Sequence, residues 1–379
     1  MSERWTDELL DRMRGIADDG MDPAMERHYA EGGKAFLAAI RPFLDDWTAP
    51  LTPAVPPDLA ELFLRPVQYP DWVDPEKIAT VETLFLRYGP VALVVLILNG
   101  FPRAMTNRAI ATAIDSAKLF NPLVVRRRMR EVIQFTLNTS RRAGLQQPYW
   151  SRDHIHKNIG VWSGHKLRLK HCRVRLHVAS MKPPIWDYEK YGKVINQEDL
   201  AETMLHFCLG IVEGLPKAGI VQSPQEQEAM LNMWKTIGFL LSLRPELLPE
   251  NVADAKALRE KIFRRTAQKS PEGVRVIEDL LRTADDLLPW FLHGSSAAFM
   301  RHQLGPEISA MLEIPKSWFW TFFLKITAPF WGVNGPFAKL AKFISPYLVR
   351  WLMKEEEGAG CQHQDPDAQV ILGMDPRKV

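Results

Sequence analysis

Apolar residues recur every three to four positions along most of the chain after about residue 74, and strand-like alternation is scarce. This spacing is typical of helices that bury one face. Several segments open with an N-cap signal, as at Ser223 before Pro224. The pattern predicts an all-α fold with helices over residues 4–18, 22–44, 74–99, 104–119, 122–143, 162–182, 197–219, 223–241, 250–268, 271–286 and 295–312.

Proline density and composition divide the chain into four predicted regions. Residues 49–73 carry six prolines, which favours an extended, loop-rich segment. We expect N-terminal helices and this proline-rich segment in 1–73, and one large helical domain in 74–312. Aromatic and basic helices are expected in 313–354, followed by a disordered tail in 355–379.

Charge and cysteine content exclude several functional classes. The 48 basic and 45 acidic residues leave a net charge of +3, too little to attract nucleic acid. The three cysteines, Cys172, Cys208 and Cys361, form no C-x-x-C pair, which fits a reducing compartment. Residues 1–15 lack the apolar segment of a secretory signal, and Tyr88–Pro102 is shorter than the roughly 20 residues of a membrane span. We therefore expect a cytoplasmic protein.

Residues 315–353 combine aromatic and basic side chains. The aromatic ones are Trp318, Phe319, Trp320, Phe322, Phe323, Phe330, Trp331, Phe337, Phe343, Tyr347 and Trp351. Two interpretations stay open: helices that pack on the core, or a surface that contacts a membrane or a lipid substrate. A membrane surface is thus a candidate partner of this region.

One histidine interrupts an apolar stripe in the predicted helix 162–182. At about 100° per residue this stripe comprises Leu167, His171, Val174, Val178 and Met181. An imidazole that faces a core needs a partner for its ring nitrogens. Either His171 bonds to a backbone carbonyl or it binds a ligand. The helix is also rich in basic residues that suit haem propionates, namely Lys166, Arg168, Lys170, Arg173 and Arg175.

The predicted helix 197–219 presents a second polar residue beside an apolar face. Its stripe comprises Leu200, Met204, Phe207 and Ile211. Asn196 is a plausible N-cap, and Glu198 and Asp199 place negative charge in the first turn, which the helix dipole favours. Thr203 flanks the stripe. It either bonds to the carbonyl four residues earlier or supplies a hydroxyl group to a cofactor pocket.

These two segments resemble the latex-clearing protein (rubber oxygenase) family, which shares a catalytic-domain signature with the endoplasmic-reticulum-bound side-chain oxygenase of mycophenolic acid biosynthesis. The family pattern V-R-L-x-H-A-x-V-R corresponds to Leu167–Arg175. The pattern I-N-Q-E-D-x-A-x-T-x-x-x-F corresponds to Ile195–Phe207, and this longer match is the specific one. The likeness covers about residues 75–265.

The resemblance implies an all-helical fold that elaborates a globin-like core and binds haem b. It implies that His171 is the proximal iron ligand, that Arg168 lies near the haem and that Thr203 lies in its pocket. Arg175 is a further candidate for cofactor binding. Family members that cleave polyisoprene use dioxygen to break a carbon–carbon double bond, so we expect an oxygenase that acts on an apolar, unsaturated substrate.

One departure from the rubber-cleaving members concerns the helix before the histidine. When Arg126–Phe135 is aligned on Phe135, Glu131 and Val132 occupy the positions of a distal lysine and threonine. Glu131 is then either a distal acid–base group or a solvated surface carboxylate. The known rubber oxygenases are secreted, so the missing signal favours an intracellular lipid, terpenoid or polyketide side chain as substrate.

Other metal chemistries have weaker support. No H-E-x-x-H zinc motif occurs, and His154 with His156 lacks a third ligand nearby. Glu198, Glu202 and His206 share a helix face, but a di-iron bundle repeats Glu-x-x-His on a second helix, which the sequence lacks. The alternatives to a haem oxygenase are a non-catalytic haem- or lipid-binding membrane-associated protein and, with less support, a di-iron oxidase.

Overall fold

The computed structural model describes residues 4–47, 49–118, 125–141, 145 and 158–327. The α-helices are α1 (Asp7–Arg14), α2 (Asp22–Asp45), α3 (Pro57–Leu64), α4 (Pro75–Val95), α5 (Phe101–Ala104), α6 (Arg108–Ser116), α7 (Val125–Thr139), α8 (Ile159–Ala179), α9 (Tyr188–Tyr191), α10 (Gln197–Lys217), α11 (Pro224–Leu240), α12 (Val252–Thr266), α13 (Pro271–Leu287), α14 (Ser295–Leu304), α15 (Pro306–Met311) and α16 (Trp318–Thr327). Within these ranges no β-strand is present, and the predicted all-α fold is confirmed.

Side-chain caps begin the helices that carry the family motifs. The Asn196 side chain accepts a hydrogen bond from the backbone N–H of Asp199 at 3.0 Å, as the sequence predicts. Ser223 and Glu226 form a reciprocal capping box at the start of α11. These caps satisfy N–H groups that a first helical turn leaves unpaired, so the starts of α10 and α11 lie within one residue of the predicted ones.

The structure corrects two predicted segments. The proline-rich region contains α3, because Pro57 takes the first helical position and Leu59 and Phe63 bury one face. The predicted helix 295–312 is two helices, α14 and α15, which are separated at Gly305. That residue has a φ of 84°, a left-handed conformation that ends a helix and suits glycine.

The main core surrounds α10, which packs against α4, α11 and α12. The N-terminal helix shares this core, since Leu10 and Met13 are buried in it and Arg14 forms an ion pair with Glu198 of α10.

The helical stretch Pro75–Ala104 is long and apolar enough to cross a membrane by length and composition. Here it packs on α10 and α11, as a core helix does.

A glycine pair sets the closest approach of two helical segments. The π-helical turn Leu96–Gly100 joins α4 to α5 and crosses α10 at Gly210. A Cβ on Gly210 would lie 2.7 Å from the Cα of Gly100, so both positions need glycine. The close crossing brings Phe101 and Phe207 to the wall of the same cavity.

A second apolar cluster lies between α2, α3 and α8 and encloses an unpaired imidazole. His165 is 6% exposed, and its ring lies 5.6 Å from that of Phe63. Neither ring nitrogen has a hydrogen-bond partner among the described residues. Burial, followed by the charge of Arg168, lowers the pKa of His165 to about 3.

This depressed pKa predicts acid sensitivity. The unfolded chain binds a proton at His165 below about pH 6.5 while the folded chain does not, so folding loses about 1.4 kcal/mol per pH unit below that value. We expect His165→Leu to remove this loss. Urea unfolding at pH 6 and pH 5 tests it, because the variant should gain about 1.4 kcal/mol on the wild type between the two. Parallel pH dependences would contradict the assignment.

Candidate active-site cavity

A cavity of about 800 Å³ lies between α2, the π-helical turn Leu96–Gly100, α5 to α8, α10 and α11. Its size falls within the range of about 300–1,000 Å³ typical of small-molecule and cofactor sites. Most of the wall is apolar, including Leu96, Ile97, Phe101, Met105, Phe135, Leu167, Val174, Met204, Phe207, Trp234, Ile237 and Leu241. Lys34, Arg41 and His177 also line it and are exposed, so they mark the mouth. The wall of the cavity is therefore mainly apolar, and basic side chains lie at its opening.

His171 lines this cavity from α8, together with Leu167 and Val174 of the predicted stripe. None of the described residues hydrogen-bonds to its imidazole, so the predicted alternative of a backbone carbonyl partner finds no support. Protein surrounds the ring, and part of its surface is accessible only because it faces the cavity. Burial, followed by the charge of Arg175, lowers the pKa of His171 to about 3. The imidazole is thus neutral at pH 7, the state that binds metals.

Thr203 reaches the same cavity from α10. Its hydroxyl group donates to the backbone carbonyl of Asp199 at 2.8 Å, which is the local bond expected of a mid-helix threonine. The hydroxyl oxygen keeps its acceptor capacity. Thr203 can therefore accept a hydrogen bond from a ligand while its own proton is engaged.

Glu131 of α7 is a buried residue of the cavity wall, not a solvated surface carboxylate. Its Oε2 atom accepts hydrogen bonds from Lys170 at 2.9 Å and from Arg128 at 3.0 Å. The Lys170 ammonium group also lies 4.1 Å from the ring centroid of Trp47. Burial lowers the pKa of Lys170. Glu131 thus lies between two cations in the cavity wall, an arrangement that the sequence did not reveal.

The two predicted arginines have partners in the N-terminal part of the chain. Arg168 forms two hydrogen bonds of 2.7 Å with Asp18, and Arg175 pairs with Asp22 at 2.7 Å. Neither arginine is among the residues that line the cavity. These bidentate and buried contacts brace α8 against the start of α2. A direct contact of either arginine with a cofactor stays a prediction, and this geometry does not favour it.

Besides Lys170 and Arg128, three further cations line the cavity. Lys34 and Arg41 are exposed on α2, and Arg173 is half-buried on α8. Arg41 forms an ion pair with Asp45 along the same helix. Cations at the mouth of an apolar cavity suit the carboxylates of an amphiphilic ligand such as haem. The wall chemistry and the free, neutral imidazole of His171 therefore fit haem b.

The acidic face of α10 is occupied by protein partners. Glu198 pairs with Arg14 and Arg265, whereas Glu202 accepts hydrogen bonds from Asn107 and Thr266. Among the described residues, no group of three or more His, Cys, Asp or Glu side chains could hold a metal ion. His154 and His156 lie outside the described residues.

Residues 83–331 match the family model described as ER-bound oxygenase mpaB/B'/Rubber oxygenase, catalytic domain. The chain belongs to this family. The predicted resemblance is thereby confirmed, as is the predicted class of enzyme, an oxygenase. The match contains α7, α8 and α10, the helices that carry Glu131, His171 and Thr203.

Two individual relatives agree with this family. A rubber oxygenase from Streptomyces sp. (strain K30) is 25% identical over 153 residues, which are 40% of this chain and 37% of that protein. The match thus spans well under half of the relative. The structure of latex clearing protein in the closed state aligns over 92% of this chain and 93% of its own, with a TM-score of 0.65 and 17% identity. At that identity it supports the fold alone.

Proposed function

We propose that this protein is a haem b-dependent oxygenase that oxygenates or oxidatively cleaves an apolar, unsaturated substrate with dioxygen. One observation carries the proposal: His171, neutral and without a hydrogen-bond partner among the described residues, lines an apolar cavity of about 800 Å³. A neutral imidazole that faces a cavity without a protein partner can offer its ring nitrogen to a metal. Iron is such a metal.

The residues of the cavity have separate roles that fit this reaction. His171 would hold the iron, and the cations Lys34, Arg41 and Arg173 would bind the propionates. A bound haem supplies the oxidation of the substrate by dioxygen. The apolar wall excludes water and holds a hydrocarbon chain by burial of its surface. We propose Glu131 as the proton-handling group of the α7 wall, since it is buried and fixed between Lys170 and Arg128.

Oxygen consumption by the haem-loaded protein tests this function. Cleavage of one carbon–carbon double bond by one dioxygen gives two carbonyl groups, so oxygen uptake and carbonyl formation should rise together. We expect turnover with squalene or with short polyisoprene oligomers and none with squalane, the saturated control. Haem-loaded protein that consumes no oxygen with any unsaturated hydrocarbon would favour a non-catalytic haem-binding protein instead.

We also propose that the protein contacts membranes through α16 and the turn Trp290–Leu292. Trp318 and Trp290 are each 82% exposed. The bond from the Trp320 indole N–H to the His293 carbonyl ties the turn to α16 at 2.9 Å. Further exposed apolar side chains are Phe291, Phe319, Phe322, Phe323 and Ile326. Soluble monomers rarely expose such contiguous apolar surface, and exposed Lys316 and Lys325 suit anionic headgroups.

Co-sedimentation with vesicles tests the membrane contact. We expect the protein to sediment with vesicles of phosphatidylcholine and phosphatidylglycerol, and the double variant Trp318→Ser, Phe322→Ser to stay in the supernatant. Val221 is 86% exposed elsewhere on the surface, so Val221→Ser is the matched control and should bind as the wild type does. Equal sedimentation of the double variant and the control would contradict this role of α16.

A further inference from the structure

A half-buried arginine of α5 has most of its guanidinium group unpaired. Arg103 donates from its Nε atom to the Oδ1 atom of Asn99 at 2.8 Å. Its two Nη atoms have no hydrogen-bond or carboxylate partner among the described residues, and neither atom is fully enclosed by protein. A charge that is withdrawn from water usually has an opposite charge beside it. The four N–H donors of these two atoms are thus available to a ligand that reaches Arg103 from the surface.

The residue that holds Arg103 also connects it to a lysine. The side-chain amide of Asn99 donates to the Gly210 carbonyl of α10 at 2.9 Å and to the Oε1 atom of Gln303 at 3.4 Å. The ammonium group of Lys217 donates to the backbone carbonyl of Gln303 at 2.6 Å. Lys217 is exposed, and this bond leaves two of its N–H donors without a partner among the described residues. Shared hydrogen-bond partners therefore hold Arg103 and Lys217 near one another along α10.

A second arginine and one carboxylate lie beside these two cations. Arg259 of α12 donates from its two Nη atoms to the two oxygens of Glu213 on α10, each at 2.8 Å. Burial raises the pKa of Glu213, but the hydrogen bonds and charge of Arg259 and the charge of Arg103 outweigh it and lower that pKa. Glu213 is therefore ionised at pH 7. We call Arg103, Lys217, Arg259 and Glu213 the basic cluster, which has three positive charges and one negative charge.

The cations of the basic cluster repel one another. Burial, followed by the charge of Arg259, lowers the pKa of Arg103 to about 10. Burial, followed by the charge of Arg103, lowers the pKa of Lys217. The exposed Lys256 of α12 adds another positive charge near Glu213. A bound anion would offset this repulsion and would take up the open N–H donors.

We propose that the basic cluster binds a phosphate group, carried by a soluble phosphate ester or by a lipid headgroup. A phosphate monoester has a charge of about −1.5 to −2 at pH 7, which matches the net positive charge of the cluster, and it presents three acceptor oxygens. The planar guanidinium group of Arg103 suits two of these oxygens, and the ammonium group of Lys217 suits the third. The site is separate from the cavity, because none of the four residues of the cluster lines that cavity.

Titration calorimetry of the full chain with inorganic phosphate tests the site. The ionic strength is held constant with sodium chloride, so that screening does not change during the titration. We expect Arg103→Gln to weaken phosphate binding about ten- to hundredfold, as expected for the loss of hydrogen bonds between charged groups. Arg87 is exposed on α4, so Arg87→Gln is the matched control that removes the same charge elsewhere. This control should bind phosphate as the wild type does.

Two phosphate esters distinguish the two sources of the phosphate group. Glycerol 3-phosphate carries it in soluble form, and dihexanoyl phosphatidic acid, used as a monomer in solution, carries it as a lipid headgroup. Tighter binding of phosphatidic acid, with a loss in Arg103→Gln, assigns the site to a lipid headgroup. Equal binding of the two esters, with the same loss, assigns it to a soluble phosphate ester.

A second variant covers the case in which Arg103→Gln does not fold. Lys217 is exposed, so Lys217→Gln should fold and should weaken phosphate binding about two- to fivefold, as expected for one exposed charge. Phosphate should also raise the thermal unfolding midpoint of the wild type more than that of Lys217→Gln. A wild type that binds phosphate no better than chloride would overturn the proposal. Equal phosphate affinity of Lys217→Gln, Arg103→Gln and Arg87→Gln would overturn it as well.

Discussion

Replacement of Glu131 by alanine is expected to lower the free energy of unfolding by about 3–5 kcal/mol, the cost of removing one partner from a buried ion pair. The reason lies in the two cations that remain. Lys170 and Arg128 have side chains 13% and 24% exposed, and both bond to the same oxygen of Glu131. Without that carboxylate, the Lys170 ammonium group stays buried and loses its main opposite charge, and the smaller effect of Asp45 on α2 remains. Urea unfolding at pH 7 measures the loss.

A double-mutant cycle separates the ion pair from simple loss of packing. We expect Lys170→Met to restore most of the stability lost in Glu131→Ala, because the stranded charge is removed with its partner. Glu61→Ala is the matched control, since the Arg65–Glu61 pair of α3 is 64% exposed on both sides and is worth less than about 1 kcal/mol. A Glu131→Ala variant as stable as this control would show that the pair on the cavity wall contributes nothing.

Replacement of His171 by alanine is expected to reduce oxygenase activity at least a hundredfold, since changes to the outer shell of a metal site alone cost about 10- to 100-fold. The fold should survive, because no described residue hydrogen-bonds to the imidazole. Oxygen uptake and circular dichroism measure the two effects. His177→Ala is the control on the same helix: His177 also lines the cavity but is exposed at its mouth. Similar losses in both variants would contradict a special role of His171.

Short-range signals explain why so much of the fold could be predicted. The Asn196 cap and the capping box of Ser223 with Glu226 involve residues three positions apart, so the start of each helix is visible in the sequence. The stripe with His171 is visible for the same reason, since helical periodicity alone places Leu167 and Val174 on its face. The periodicity does not show whether that face packs against other residues or lines a cavity.

Partners that are distant in the sequence explain which features of the site could not be predicted. Arg168 and Arg175 lie on the histidine helix as the family pattern requires, yet Asp18 and Asp22 are about 150 positions away in the chain. No local sequence pattern predicts an ion pair between residues so far apart. Glu131 presented the same difficulty, because burial and the approach of Lys170 distinguish a cavity residue from a surface carboxylate. Both are properties of the packing of α7 on α8.

Asp199 shows a different limit. From sequence it is a favourable charge in the first turn of a helix, which is a sufficient explanation of an acidic residue there. Only the packed structure shows that its Oδ2 atom is buried, unpaired and beside Glu202. The local signal correctly placed Asp199 in the first turn of α10. It did not show that burial and the neighbouring acidic groups raise the pKa of Asp199.

The central claim is that the neutral imidazole of His171 holds haem iron in the cavity. Its most direct test is titration of haem into the haem-free protein, followed by ferric and ferrous–carbon monoxide absorption spectra of the wild type and of His171→Gly. We predict one haem per wild-type chain with the spectrum of a histidine-ligated b-type haem, loss of that spectrum in His171→Gly, and its recovery on addition of imidazole. A wild-type chain that takes up no haem, or a His171→Gly variant with an unchanged spectrum, would contradict the claim.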